Sequence, residues 1–250
     1  MAKTLRSETS LGRRQRELET ELRRIPWTRP LVWAFALLAS LAFLLAPSLA
    51  LPARLLPPLF LLLFAIGHEW RLREIAGESK FLEGGRTGER RLASRFAEQL
   101  ADDHLLLNDL DLRIGHERFQ IDHLVVAPSA VFVVESKYWA GTLSGDPSAA
   151  TWTQTRHGKS RTVSSPVRQV GRQRRMLISR FRIPLPEDRV YALAVFTHPS
   201  VSLELSPDPD HRVMTAREAV RFINDKCFDP PLWTPETQLA FARQVLDSQS

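Results

Sequence analysis

A single cysteine, Cys227, among 250 residues excludes a disulfide framework and a thiolate metal cluster, and suits a reducing compartment. The 34 Lys and Arg against 28 Asp and Glu leave a formal charge of +6, which suits anionic partners such as nucleic acid or a lipid surface. With 44% hydrophobic and 25% charged residues, most of the chain is expected to bury a core, with room for one domain and extra segments.

Residues 1–29 form a polar, Arg-rich arm, with a short helix expected over 13–24. Residues 31–46 are apolar except for Ser40. At about 1.5 Å per residue this run is slightly shorter than a hydrocarbon core of roughly 30 Å. Trp27, Pro30 and Pro47 extend its usable length, and Trp suits the interface. A second apolar stretch, 49–66, contains Arg54, Pro52, Pro57 and Pro58. Pro47-Ser48 and Pro52 read as a turn, so 30–67 is expected to be a membrane hairpin of two short apolar helices. Arg23, Arg24 and Arg29 precede it and Arg71 and Arg73 follow, which places both outer ends in the cytoplasm. Arg54 snorkels to the outer headgroups. The expected location is therefore the inner or cell membrane, with two spans and a cytoplasmic domain, and the basic arm meets anionic lipid. Two alternatives stay open: one span followed by a proline-broken interfacial segment, and a signal peptide cut near Ser48-Leu49-Ala50. A buried soluble helix does not suit a run without a polar face.

Residues 68–85 read as a charged juxtamembrane connector ending in Gly84-Gly85. A globular domain is expected over 86–200. It opens with a helix over 86–103, with Leu92, Phe96 and Leu100 at spacing four and Thr87 at its start. Strands follow at 105–114 and 119–127, turning at Gly115-His116, and at 131–135 after the Pro128-Ser129 turn. A loop holding Gly141, Gly145 and Gly158 leads to Pro166, which opens a helix to about 182. A buried strand lies at 191–196. Residues 201–250 read as a structural extension, with a strand at 213–214 and helices at 216–224 and 236–246.

The acidic residues fall where this order gives them chemical meaning. Asp122 sits inside an apolar strand, and Glu135 ends the next one. Lys137, two residues on, shares a sheet face with Glu135. Antiparallel pairing brings Asp122 near the Glu135 end. Burying two carboxylates and an ammonium is costly unless they pair or bind metal. One outcome is a structural Asp–Lys–Glu network. The other is a site for Mg²⁺, which takes one or two carboxylates plus waters and phosphate oxygens. A lysine on the same face can position water and neutralise charge on a phosphorane.

Gly88-Glu89, Gln120-Ile121-Asp122-His123, the segment from Val133 to Gly141, Trp152 and Ser165-Pro166-Val167-Arg168-Gln169 together resemble the NERD (nuclease-related) domain of the PD-(D/E)XK nuclease-like superfamily. The resemblance covers roughly 84–196. It implies an α/β fold with an α-β-β-β-α-β core, a mixed sheet flanked by helices. It also implies Asp122 and Glu135 as ligands of one or two Mg²⁺ or Mn²⁺ ions, with the Ser136 carbonyl as a further oxygen. Lys137 matches the catalytic lysine, Glu89 the acid of the first helix, and Gln169 the glutamine of the later helix. The superfamily's proline before the aspartate is replaced by Ile121. No small-molecule organic cofactor is expected.

His123 alternates to the opposite face from Asp122 and reads as structural. Trp139 and Trp152 suit either base stacking or the core. Arg168, Arg172 and Arg175, at i, i+4 and i+7, form a stripe that can grip phosphates or simply face solvent. The leading expectation is a membrane-anchored, metal-dependent nuclease acting on DNA in preference to RNA. The alternatives are a membrane-tethered nucleic-acid-binding module without turnover and a protein-interaction module in signalling.

Overall fold

A computed structural model describes residues 2–6, 30–45, 50–207, 213–226 and 230–249. The chain divides into one unit of Ser10–Glu83 and another of Met1–Thr9 with Gly84–Ser250.

The first unit holds α1 (Pro30–Leu44) and the start of α2 (Leu51–Gln99). Leu55–Gly77 is the one described stretch long and apolar enough to cross a membrane, and its large side chains, such as Phe60 and Leu63, are exposed. α1 is apolar but covers only about 22 Å at 1.5 Å per residue. Two full-length spans are therefore not found among the described residues. The turn expected at Pro47-Ser48 and the helix expected at 13–24 lie outside them.

The second helix is neither short nor confined to the apolar stretch. α2 runs for 49 residues, continues past Pro57 and Pro58, and takes in the whole of the expected connector. Each proline removes one backbone bond. The connector holds four Glu, two Arg and two Leu, all good helix formers, and Arg73 pairs with Glu69 at 3.6 Å across one turn. Charge there indicated solvent exposure rather than loop.

In the second unit, a six-stranded mixed sheet has the order β1-β2-β3-β4-β8-β10. Its strands are β1 (Lys3–Arg6), β2 (Leu105–Ile114), β3 (Glu117–Val126), β4 (Val131–Lys137), β8 (Val190–Phe196) and β10 (Val213–Thr215). β2, β3 and β4 are antiparallel neighbours, whereas β1 joins β2, and β8 joins β4 and β10, in parallel. Both faces are covered. Val131 and Val133 pack with α3 (Pro166–Arg180) and α5 (Pro235–Asp247) through Val170, Leu177, Phe241 and Val245. Phe132 and Val134 pack on the other face with Leu92 and Phe96 of α2, with Leu100 just after it, and with Ala219 and Ile223 of α4 (Ala216–Asp225). Burial on both faces explains the nearly unbroken apolar run in β4.

Three expectations change. The loop after Lys137 is a second sheet, ordered β7-β6-β5-β9. It comprises β5 (Gly141–Gly145), β6 (Thr151–Arg156), β7 (Lys159–Ser164) and β9 (Val201–Leu205). β7 is almost wholly exposed and β6 buries only Trp152 and Gln154, so apolar alternation hardly marks them. The turn signal was present: His157 and Gly158 have φ of 49° and 71°, the backbone of a two-residue hairpin. Residues 201–250 are not an appendage. β9 and β10 complete the two sheets, and Trp233 Nε1 donates to the Ala127 carbonyl at 2.7 Å. The N-terminal arm begins in the sheet, because Lys3–Arg6 pairs with Leu105–Asn108.

Candidate active site

The site forms where the sheet's alternation slips. In β2 the residues facing the α3 side are Leu105 and Leu107, then Leu110 and Leu112. In β3 they are Phe119 and Ile121, then Leu124 and Val126. Each strand changes phase over two residues, Asn108-Asp109 and Asp122-His123. Asp109 has φ of 61°, and its facing position, Asp122, is missing from a ladder that continues through Asn108↔His123 and Leu110↔Ile121.

The β3–β4 ladder runs from Val126↔Val131 to His123↔Val134, and one further step sets Asp122 opposite Glu135. The Ser136 amide donates to Asp122 Oδ2 at 2.8 Å and the Ser136 hydroxyl donates to the same oxygen at 3.2 Å. Lys137 Nζ donates to Glu135 Oε1 at 2.5 Å and to Gln169 Oε1 at 3.2 Å. Gln173 Nε2 donates to Glu135 Oε2 at 2.7 Å. Gln169 and Gln173 stand one turn apart on α3, so a single helix face supports both the ammonium and the carboxylate.

Glu89 enters from α2 beside Gly88. A Cβ at Gly88 would lie 2.6 Å from Thr197 Oγ1 and 2.8 Å from Tyr138 Cβ, so only glycine lets the helix approach the ends of β4 and β8 this closely. Burial, then the charges of Asp109 and Glu135, push the Glu89 carboxyl up to about 7, against the pull of Lys137 and Arg86. Burial, then Glu135 and Glu89, hold Asp122 well above the usual carboxylate range, only partly offset by the Ser136 amide and Lys137. When ionised, these carboxylates therefore repel one another more than Lys137 and Arg86 offset.

Asp122, Glu135, Lys137, Gln169 and Glu89 thus come together. Sequence reasoning missed Gln173 and Asp109. Gln173 follows Gln169 by four residues among the apolar positions of the helix, and Asp109 interrupts an apolar strand opposite Asp122; both signals were visible. Arg168, Arg172 and Arg175 are exposed on α3, and Arg172 contacts Glu117 at 3.4 Å. His123 packs edge-on against Phe96, with Nδ1 2.7 Å from Asn108 Oδ1, in keeping with a structural role. Trp152 is buried and donates to the Asp146 carbonyl, so it belongs to the core. Trp139 is partly buried, its ring 5.8 Å from that of Phe196 and 6.0 Å from Lys137 Nζ.

Among the described residues, no group of three or more His, Cys, Asp and Glu is arranged to hold a metal. The donor chemistry nevertheless suits a hard divalent cation. Both hydrogen bonds to Asp122 fall on Oδ2, leaving Oδ1 outside them. The buried Gln173 Oε1 has no hydrogen-bond partner. Repulsion between ionised carboxylates beside such oxygens is what Mg²⁺ or Mn²⁺ would offset.

A mixed sheet between helices, with two carboxylates and a lysine on adjacent strands, is compatible with a nuclease-like domain. Residues 84–197 match the family described as NERD, the nuclease-related domain, and with it the PD-(D/E)XK superfamily. Over 86 residues, 34% of this chain, the sequence is 30% identical to an uncharacterized protein of Bacillus anthracis. The match covers 41% of that relative's length. No solved structure matches the chain.

Proposed function

We propose that the protein is a membrane-anchored, metal-dependent nuclease that hydrolyses phosphodiester bonds, in DNA in preference to RNA, at the cytoplasmic face of the membrane. The observation that carries this proposal is the position of Lys137 Nζ, held between Glu135 Oε1 and Gln169 Oε1 beside Asp122. Asp122 and Glu135 would hold Mg²⁺ or Mn²⁺, which when bound supplies Lewis-acid activation of water and phosphate. Lys137 donates to the attacking water and offsets charge growing on the phosphate oxygens. Water oxygen bonds to phosphorus as one of its protons passes to solvent, the opposite ester bond breaks, and the leaving oxygen takes a proton from solvent. Gln169 and Gln173 fix the lysine and the carboxylate, and Glu89 closes the acidic side. Arg168, Arg172 and Arg175 offer phosphate contacts along α3.

The pairing of β1 with β2 supports the membrane hairpin. Lys3–Arg6 precedes both apolar helices and Leu105–Asn108 follows them, yet they are neighbours in one sheet. Both ends of the intervening chain then lie on one side of any bilayer, which requires an even number of crossings. This favours two crossings over one, and it disfavours a signal peptide, whose removal would take β1 with it. The flanking arginines make the shared side cytoplasmic.

One observation favours a binding module without turnover: both Glu135 oxygens are engaged, by Lys137 and Gln173, as in a closed structural network. The full chain in detergent, given labelled DNA with Mg²⁺ or Mn²⁺, separates the two readings. Lys137→Ala is expected to lower cleavage at least about 100-fold, the usual scale for loss of one charge-stabilising donor. Equal cleavage by wild type and variant would remove Lys137 from the mechanism. Metal-independent DNA binding by the wild type with no cleavage would favour the binding module.

A further inference from the structure

Beyond the ends of β8 and β10 lies a cleft of about 590 Å³, the size of a small-ligand site. Its walls are α2 and the first turn of α4. Arg91 and Arg95 line it from α2, Arg217 from α4, and Thr197, His198 and Thr215 from the strand ends. A crevice at the carboxyl ends of parallel strands is where open α/β sheets commonly bind ligands.

The charge balance of the cleft is one-sided. Among the described residues, Arg91, Arg95 and Arg217 have no carboxylate within ion-pair distance. Glu98, the one acid lining the cleft, takes the Ser94 hydroxyl at 2.8 Å. Glu218, next to Arg217, is occupied by the Thr215 amide and hydroxyl in a capping box. Partial desolvation, then Arg156 and Arg91, hold the His198 imidazole below its usual range, consistent with positive potential at the mouth.

The cleft adjoins the acidic cluster through the covalent chain. Arg91 follows Glu89 by two residues on α2 and donates to Tyr138 Oη at 3.1 Å, and Tyr138 is the residue after Lys137. The Tyr138 ring lies 4.6 Å from that of His198. Basic side chains next to a paired aromatic surface match a sugar–phosphate backbone with a base beside it.

We propose that Arg91, Arg95 and Arg217 form a phosphate-binding subsite for a single polynucleotide strand next to the candidate active site. The identity of the ligand rests on the nuclease reading, whereas its phosphate chemistry rests on the cleft alone. The subsite holds the backbone beside the candidate active site.

The test uses the full chain in detergent, a fluorescein-labelled 12-nucleotide single-stranded DNA, and EDTA to remove divalent metal. Binding is followed by anisotropy over a range of salt concentrations. Arg95→Ala/Arg217→Ala is expected to weaken binding about 10-fold or more at low salt. It should also reduce the slope of log affinity against log salt by about 1.4, or roughly 0.7 per phosphate contact on a single strand. Arg95→Lys/Arg217→Lys keeps the charge and should keep most of the slope, which separates charge from folding. Arg243→Ala, an exposed arginine on α5, should change neither. Unchanged affinity and slope in the double alanine variant overturn the proposal. Arginine-dependent binding of deoxyadenosine monophosphate, without arginine-dependent binding of the oligonucleotide, overturns the strand and leaves a free-nucleotide site. Wild type that binds in this way but cleaves nothing with Mg²⁺ removes the nuclease reading alone.

Discussion

The acidic cluster on β3 and β4 and the arginine-lined cleft beyond β8 concentrate opposite charges by opposite physical means. Asp122 and Glu135 are only 8% and 2% exposed, so their oxygens require protein donors and their mutual repulsion is poorly screened. The result is a set of fixed hydrogen bonds, with the Asp122 and Glu89 carboxyls pushed toward the protonated form. Arg91 and Arg217 are exposed, and water screens their repulsion with no carboxylate at ion-pair distance among the described residues. Buried charge of one sign suits a cation held in a defined place. Exposed charge of the other sign suits a mobile, many-phosphate ligand whose affinity falls with salt.

The largest effect on this comparison is expected at Gly88, which stands between the two regions. Gly88→Ala forces its Cβ against Tyr138 and Thr197, at a cost of about 1–3 kcal/mol. It should weaken both cleavage and arginine-dependent DNA binding, whereas the arginine variants affect binding. A Gly88→Ala protein with wild-type melting and activity would mean that α2 does not need this close approach.

A smaller effect concerns His123, the buried base beside the acids. Burial holds its pKa at about 3, against 6.5 when unperturbed, so the native state keeps it neutral. Below about pH 6.5 the unfolded chain takes a proton that the native state does not. Stability is therefore full above this pH and falls by up to about 1.4 kcal/mol per pH unit toward pH 3. Denaturation between pH 7 and 5 should show this slope in wild type and a shallower one in His123→Phe. Equal slopes would assign the acid sensitivity to other groups.

The smallest expected effect is a gain. Asp122→Asn removes one of the repelling charges and keeps an oxygen for Ser136. The metal-free chain should melt about 2–4 °C higher, about 1 kcal/mol for a domain of this size. The same variant should lose any rise in melting temperature that Mg²⁺ gives the wild type. Stabilisation by Mg²⁺ that survives the substitution would place the metal elsewhere.

Sequence reading recovered the segments whose burial gives a strong period. β2, β3, β4 and β8 fell within about three residues of their bounds, because strands covered on one or both faces are written in Leu, Val, Ile and Phe. It failed where polarity hid regular structure. Thr, Ser, Lys and Arg in β6 and β7 conceal a sheet that buries little. The charged residues 68–83 conceal a helix, and Lys3–Arg6 is too short to reveal a parallel partner about 100 residues away.

Within the site, the sequence by itself singled out the candidate trio. Asp122, Glu135 and Lys137 are costly residues in apolar strands, and their spacing fixes which of them share a face. Only the tertiary structure decided how they are held: Gln173 on Glu135, Ser136 on Asp122, and Asp109 and Glu89 brought in to oppose them. Those contacts join α2, α3 and three strands over long sequence separations. A local pattern cannot encode them, because each depends on where two separately folded elements meet.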